Sequence, residues 1–454
     1  MKGGRRVQES APVPLFMYEA NWESLDKRPV PAWFDQDKFG IFIHWGVYSV
    51  PAFAPKRKDV AQTGEAYAEW YGHFYKQKDG VVWNYHRQHY GEQVRYEDFA
   101  ADFKAELFDP AQWAELIRKS GARYTTLVSK HHDGYCLWPS KYAWNWNTVD
   151  VGPHRDICGE LKQALEKEKI KFGLYYSLYE WDRPLIKESV ERYALEHMIP
   201  QMKELVNKYE PYTFFTDGEW DYESSQFHSL EFLQWLFNES PVRDRIVVND
   251  RWGSDTRSKH GGYFTTEYGE VYIDREFDPS VQRKWEENRG IGHSFGYNRN
   301  ETLEDYLSEK ELILLLVDTV SKGGNLNLNI GPCADGTIPV IMEERLLQLG
   351  EWLSVNGDAI YGTTMVCREG EGKIKYTRKG NDIYAVFCDR PDHTEALKLV
   401  KSASQATILG TDILLPISNT QDGIMLSFKE ASPASMPNSS VFAVKLTDAI
   451  VSVN

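Results

Sequence analysis

Apolar positions along the chain follow two periods, and the change of period divides it. From about residue 35 to 357, short β-rich runs alternate with helical patterns of about 10 to 18 residues, the signature of β/α units around a parallel sheet. Strands are expected at 39–44, 124–129, 171–176, 213–216, 245–249 and 326–330. Amphipathic helices are expected at 110–119, 157–169, 191–208, 229–238, 309–321 and 339–356. In the first of these, Trp113, Leu116 and Ile117 share one face, and Asp109 stands where an N-cap residue belongs. After Gly357 the runs shorten and mostly alternate, at 373–377, 382–387, 396–400, 405–409, 423–428 and 441–446. That pattern predicts an antiparallel sandwich of about 90 residues. The expected fold class is therefore α/β, an irregular (β/α)8-like TIM barrel followed by a C-terminal antiparallel β-sandwich. No Gly-x-Gly-x-x-Gly follows the first strand, and the number of units favours a barrel over a doubly wound sheet. The long polar-aromatic segment 62–98 is expected to be a large loop or small subdomain, and on a barrel such loops build active sites.

Composition narrows the function. At 454 residues the chain suits one large domain and one smaller one. A net charge of -15 with no dominant Lys/Arg run argues against a nucleic-acid partner. The longest strongly apolar run, 312–317, falls well short of the roughly 20 residues needed to cross a bilayer, so no membrane partner is expected. No apolar leader is visible at the N-terminus, which leaves the compartment open. The 5 cysteines are scattered without a Cys-x-x-Cys pair, and they read as small buried hydrophobes. Aromatic residues make up 14%, with 15 Trp and 26 Tyr, and their flat faces suit sugar rings as well as they suit a large core.

Chemistry gathers at the ends of the expected strands. The run Tyr212-Thr-Phe-Phe-Thr-Asp-Gly-Glu-Trp-Asp221 delivers Asp217 to a loop, where a barrel keeps its active site. Taken alone, such an Asp also serves as a turn or cap residue. Its company is more telling: His44 ends the first strand, His131 and His132 the second, Tyr175 and Tyr176 the third, and Arg251 follows the fifth. A metal site is not expected, because adjacent residues such as His131 and His132 point to opposite faces of a strand. No cofactor motif is present, which leaves paired carboxylates as the expected apparatus. Asp217 supplies the first; Glu267, Glu270 and Glu286 are candidates for the second, while Glu219 and Asp221 lie close enough to tune Asp217.

The segments that carry these residues resemble one family in order and at high density. They are 33–51, Glu69-Trp70-Tyr71, Ser129-Lys-His-His-Asp-Gly134, Phe215-Thr-Asp-Gly-Glu-Trp220, Val248-Asn-Asp-Arg-Trp-Gly253, Ser294-Phe-Gly-Tyr297 and Asn327-Leu-Asn-Ile-Gly-Pro332. The chain is similar to the α-L-fucosidases of glycoside hydrolase family 29, in the branch of the animal lysosomal enzymes. The resemblance implies a retaining exo-α-L-fucosidase without a cofactor, acting on fucosylated oligosaccharides or glycoconjugates, often as a homo-oligomer. It implies a periplasmic, secreted or lysosomal location where a leader has been removed. It also implies Asp217 as nucleophile and His44, Glu69, Trp70, His131, His132, Tyr176, Phe215 and Arg251 as fucose-binding positions. Thr266-Glu267-Tyr268 resembles the family's acid/base element, with Glu286 and Glu270 as alternatives. Phe215 and Phe295 stand where many relatives have Trp, which points to an altered subsite preference. The implied division is an N-terminal extension over 1–30, a catalytic barrel over 31–362 and a β-sandwich over 363–454. A catalytically silent fucose-binding relative, or a barrel glycosidase for another sugar, is the alternative reading.

Overall fold

The structure is a computed structural model that describes residues 17–269, 283–367, 369–391, 393–429 and 436–451. Eight parallel strands form its main sheet: β1 (Phe39–Ile43), β2 (Tyr124–Lys130), β3 (Leu174–Ser177), β4 (Thr213–Asp217), β5 (Val247–Val248), β6 (Phe264–Glu267), β7 (Trp285–Gly290) and β8 (Asn325–Ile330). Their order is β5-β4-β3-β2-β1-β8-β7-β6. The two edges meet through a parallel bridge between Asn249 and Tyr263, with Gly262 N donating to Asn249 O at 3.0 Å and Tyr263 N to Val248 O at 3.1 Å. The sheet therefore curls round on itself as the barrel expected. Gly262 makes the seam possible, since a Cβ there would lie 1.6 Å from the Val248 carbonyl oxygen.

Two of the eight strands, β6 and β7, are absent from the sequence expectation. The β7 run Trp-Glu-Glu-Asn-Arg-Gly carries no apolar period, yet Glu286, Glu287 and Asn288 are all buried. The barrel interior is polar as well as aromatic, so hydrophobicity does not mark this strand. Polar residues also line β8, where Asn325, Asn327 and Asn329 alternate with Leu326, Leu328 and Ile330, but there the alternation itself marks the strand. The three apolar residues join the core between sheet and helices. Inside the barrel, Phe42, Tyr124, Tyr175, Phe215 and Tyr263 form a separate aromatic cluster.

The helices around the sheet follow their caps. Asp109 Oδ1 accepts from Ala111 N and Gln112 N at 2.9 and 3.2 Å and starts the helix Pro110–Lys119. Ser308 and Glu311 form a reciprocal capping box on Glu309–Ser321. The single helix expected over 191–208 is instead broken into Val190–Tyr193, a π-helical turn Ala194–Met198 and Ile199–Tyr209. The wider turn brings His197 against Glu180, Nε2 to Oε1 at 2.8 Å. Segment 62–98 folds into short helical turns, among them Ala68–Trp70 and Val81–His89.

Beyond residue 363 the chain forms antiparallel sheets around a core of their own, including Ile383, Phe387, Leu426 and Phe442. All six expected runs contribute strands. The run 396–400 is divided between Thr394–Leu397 and Val400–Ser402, which belong to different sheets. The last barrel helix, Val340–Asn356, holds this layer in place: Trp352 Nε1 donates to Val441 O at 2.8 Å, and Asn356 Oδ1 accepts from Ala443 N at 3.0 Å. Among the described residues no helix is long and apolar enough to cross a membrane.

Candidate functional site

The C-terminal ends of the strands converge on a pocket centred on Asp217, the last residue of β4. Strand alternation turns Phe215 and Asp217 to the same inward face, and the parallel register places Tyr175 beside Phe215 and Ser177 beside Asp217. Tyr175 therefore lines the pocket, and its hydroxyl donates to Asp217 Oδ2 at 2.8 Å. Tyr176, the residue expected in the site, pairs with Thr216 on the other face. Its hydroxyl donates to Gln201 Oε1 at 2.8 Å, and Lys130 Nζ lies 3.9 Å from its ring centroid. The expected position is off by one residue, and period two turns one residue into the opposite side of the sheet.

Arg251 is the hub of the pocket. Only 2% exposed, it donates from Nη1 to Asp217 Oδ1 at 2.8 Å and from Nη2 to Glu267 Oε1 at 3.0 Å. Its Nε donates to Thr265 Oγ1 at 3.0 Å, whose hydroxyl donates to Asp250 Oδ1 at 2.8 Å, so the guanidinium plane is fixed from behind. Burial by itself would raise the Asp217 carboxyl, but the Arg251 guanidinium bonded to it and the Tyr175 hydroxyl hold it well below the usual carboxylate range. Asp217 is thus an ionised group whose side chain is only 13% exposed. Glu267, at the end of β6, has a side chain 31% exposed and reaches solvent more readily.

Three imidazoles complete one wall. β2 ends at Lys130, so strand alternation does not extend to the next two residues, and His131 and His132 both line the pocket with ring centroids 4.1 Å apart. This reverses the expectation that they face opposite sides. Burial pushes His44 down to about 3 and His132 to about 4, and His131 well below its ordinary range. All three are neutral near pH 7, and their neighbours fix the tautomers of two. Asn329 Nδ2 donates to Phe295 O at 2.6 Å, leaving its Oδ1 to accept from His44 Nδ1 at 2.6 Å. Ser177 Oγ donates to Tyr179 O at 2.5 Å and accepts from His132 Nδ1 at 2.6 Å. Each ring is left with an Nε2 lone pair, an acceptor for a ligand hydroxyl.

Glu69 and Trp70 enter from the turn Ala68–Trp70. Glu69 Oε2 accepts from Gly296 N at 2.7 Å, yet burial raises its carboxyl to about 7. Glu219 is raised to about 7 by burial and by the Asp217 charge, against the pull of Arg251 and of Arg257, whose Nη1 is 3.6 Å from Glu219 Oε1. Phe295 lies 4.9 Å from the His44 ring, and Phe215 stacks on Tyr175 at 5.8 Å. Tyr67, Trp220 and Arg257 also line the pocket without having been expected there. Tyr67 and Trp220 carried the general signal of an aromatic beside a site residue; nothing in the sequence singled out Arg257.

The remaining acid candidates separate clearly. Glu286, on β7, is sealed in the barrel interior outside the pocket, where Tyr124 donates its hydroxyl to Oε2 at 2.6 Å. Glu270 lies outside the described residues. The pocket thus combines an ionised carboxylate, a second carboxyl on the same guanidinium, and a wall of neutral imidazole acceptors and aromatic faces. Such a set suits substitution at the acetal carbon of a sugar. Among the described residues no group of three His, Cys, Asp or Glu is placed to hold a metal ion.

The family model described as alpha-L-fucosidase matches residues 7–358. Tissue alpha-L-fucosidase of Homo sapiens is 40% identical over 451 residues, covering 96% of this chain and 92% of that protein. Alpha-L-fucosidase of Branchiostoma floridae is 41% identical over 439 residues, covering 92% and 93%. The crystal structure of Thermotoga maritima alpha-fucosidase superposes with a TM-score of 0.81 at 38% identity, covering 95% of this chain and 100% of that one. The structure of that enzyme in complex with fucose gives 0.80 at 38% identity, with the same coverage. The chain belongs to the alpha-L-fucosidase family of glycoside hydrolases.

Proposed function

We propose that this protein is a retaining α-L-fucosidase that removes terminal α-L-fucose from oligosaccharides or glycoconjugates through a covalent fucosyl-enzyme intermediate. The observation that carries the reading is the pairing of Asp217 and Glu267 on one guanidinium. Adjacent nitrogens of a planar group hold the two carboxyls close. That keeps both within reach of one sugar ring, as the two-carboxylate chemistry of a glycosidase requires, and the family resemblance supports the retaining course.

In this reading Asp217 attacks C1 of the fucosyl ring as an ionised nucleophile, and a bond forms from its carboxylate oxygen as the glycosidic C–O bond breaks. Glu267 protonates the leaving oxygen, then takes a proton from the water that hydrolyses the ester. Its partial exposure supports proton exchange with solvent. His44 and His132 accept from sugar hydroxyls through Nε2, while Trp70, Phe215 and Phe295 face the apolar side of the ring. Catalysis is assigned to residues 31–362.

Release of the aglycone from an aryl α-L-fucoside tests the activity, and no turnover by the wild type sinks the reading. Asp217→Ala should lose roughly three orders of magnitude or more, with azide restoring part as an inverted glycosyl azide. Glu267→Ala should slow poor leaving groups far more than activated aryl ones. The same signature from Glu286→Ala instead would move the acid role to Glu286.

A further inference from the structure

Fucose removed from a glycan is its terminal unit, so the rest of the glycan must leave through the mouth of the pocket. One rim of that mouth continues outward from Trp220, itself in the pocket lining, as a row of aromatic rings whose outer members, Tyr179 and Tyr222, lie beyond the pocket. Trp220 is 38% exposed, and its ring centroid stands 5.5 Å from Trp70 and 4.9 Å from His132, both in the pocket wall. Away from the pocket the next ring is Tyr179, 6.4 Å from Trp220, followed by Tyr222, stacked 6.3 Å from Tyr179 at an interplanar angle of 18°. Both tyrosines are only partly buried.

The row is fixed in place. Gly218 has φ +78, and a Cβ there would lie 3.0 Å from Tyr179 Cβ and 3.1 Å from Ser177 Oγ, so the turn bearing Trp220 packs directly on the segment bearing Tyr179. Glu219 is 3% exposed, whereas the next residue, Trp220, packs one side against Trp70 and His132 and is 38% exposed. Ser177 Oγ, which also holds His132, donates to the Tyr179 carbonyl. The rings are therefore preorganised and cost little ordering entropy on binding.

We propose that Trp220, Tyr179 and Tyr222 form a leaving-group subsite that binds neutral hexopyranosyl units of the glycan carrying the fucose. Flat, partly exposed rings match the C–H faces of pyranoses. The exposed carboxylates Asp221 and Glu223 flank the row and oppose anionic sugars, so the subsite selects neutral chains over sialylated or sulfated ones. This deepens the function proposed above and rests on it.

The test compares kcat/KM on an aryl α-L-fucoside and on a neutral fucosylated trisaccharide, for the wild type and for Tyr179→Ala/Tyr222→Ala. The double variant should keep its aryl fucoside activity, which also reports correct folding. On the trisaccharide it should lose about 10-fold, chiefly through KM. Tyr179→Phe/Tyr222→Phe should restore it, because the rings and not the hydroxyls carry the contact. Equal losses on both substrates, or no loss on the trisaccharide, overturn the subsite while leaving the fucosidase reading intact. A wild type that cleaves neither substrate removes both.

Discussion

Replacing Glu286 by Gln should make folding less sensitive to pH without disabling catalysis. Burial raises the Glu286 carboxyl from an ordinary 4.5 to about 7, although Tyr124, Tyr263 and Asn327 hydrogen-bond to it and Lys284 attracts its charge. Below about pH 4.5 the folded and unfolded states both hold the proton. Between there and about pH 7 only the folded state does, so stability falls as pH rises across that window. The displacement corresponds to about 3 kcal/mol, and Gln, which does not titrate, abolishes it. Denaturant unfolding of both proteins from about pH 5 to about pH 8 measures the difference directly, and other buried carboxyls cancel because both proteins share them. The wild type should lose about 2.5 kcal/mol relative to Glu286→Gln over that span, the rest of the displacement lying below about pH 5. Parallel stability curves would refute the reasoning, and loss of turnover in a folded variant would refute the assignment of Glu286 to the barrel core.

Other residues give equally separable outcomes. Tyr175→Phe removes the hydroxyl bound to Asp217 Oδ2 and should lower kcat by about 10- to 100-fold, whereas Tyr176→Phe should leave kcat near wild type and cost about 1 kcal/mol of stability. The reverse ranking in steady-state kinetics would restore Tyr176 to the site. Glu180→Gln leaves the fully buried Lys130 ammonium without its counter-ion and should cost about 3–5 kcal/mol in thermal or denaturant unfolding. An unchanged melting temperature would show that the pair is not closed in solution. Gly262→Ala forces a Cβ against Val248 O at the barrel seam and should cost about 1–3 kcal/mol; wild-type stability would place the seam elsewhere.

The sequence disclosed most where a strand is buried on both faces. β1, β2 and β4 have continuous apolar or β-branched runs, and the carboxylate that ends β4 is visible because the apolar run stops at it. β6 and β7 were illegible for the converse reason. Glutamates and asparagines that satisfy one another inside the barrel look like solvent-exposed loop residues when their partners, such as Tyr124 and Asn327, are far away in sequence. The choice between Tyr175 and Tyr176 depends on register, which the neighbouring strand sets and two adjacent tyrosines cannot reveal. The shared inward direction of His131 and His132 likewise depends on where β2 stops. Phe215 was legible as a neighbour of Asp217 on one face, whereas the Arg251 bridge to Glu267 needs two strands, β5 and β6, of which only one was expected.

The central claim is that Asp217 forms a bond to fucose. Incubation with a fluorinated α-L-fucosyl donor that is rapidly attacked and slowly hydrolysed, followed by peptide mass spectrometry, reads that bond directly. The account predicts one fluorofucosyl adduct, on the peptide that contains Asp217, and none in Asp217→Ala. An adduct on another carboxylate, or inactivation-free turnover of the donor with no adduct at all, would contradict it.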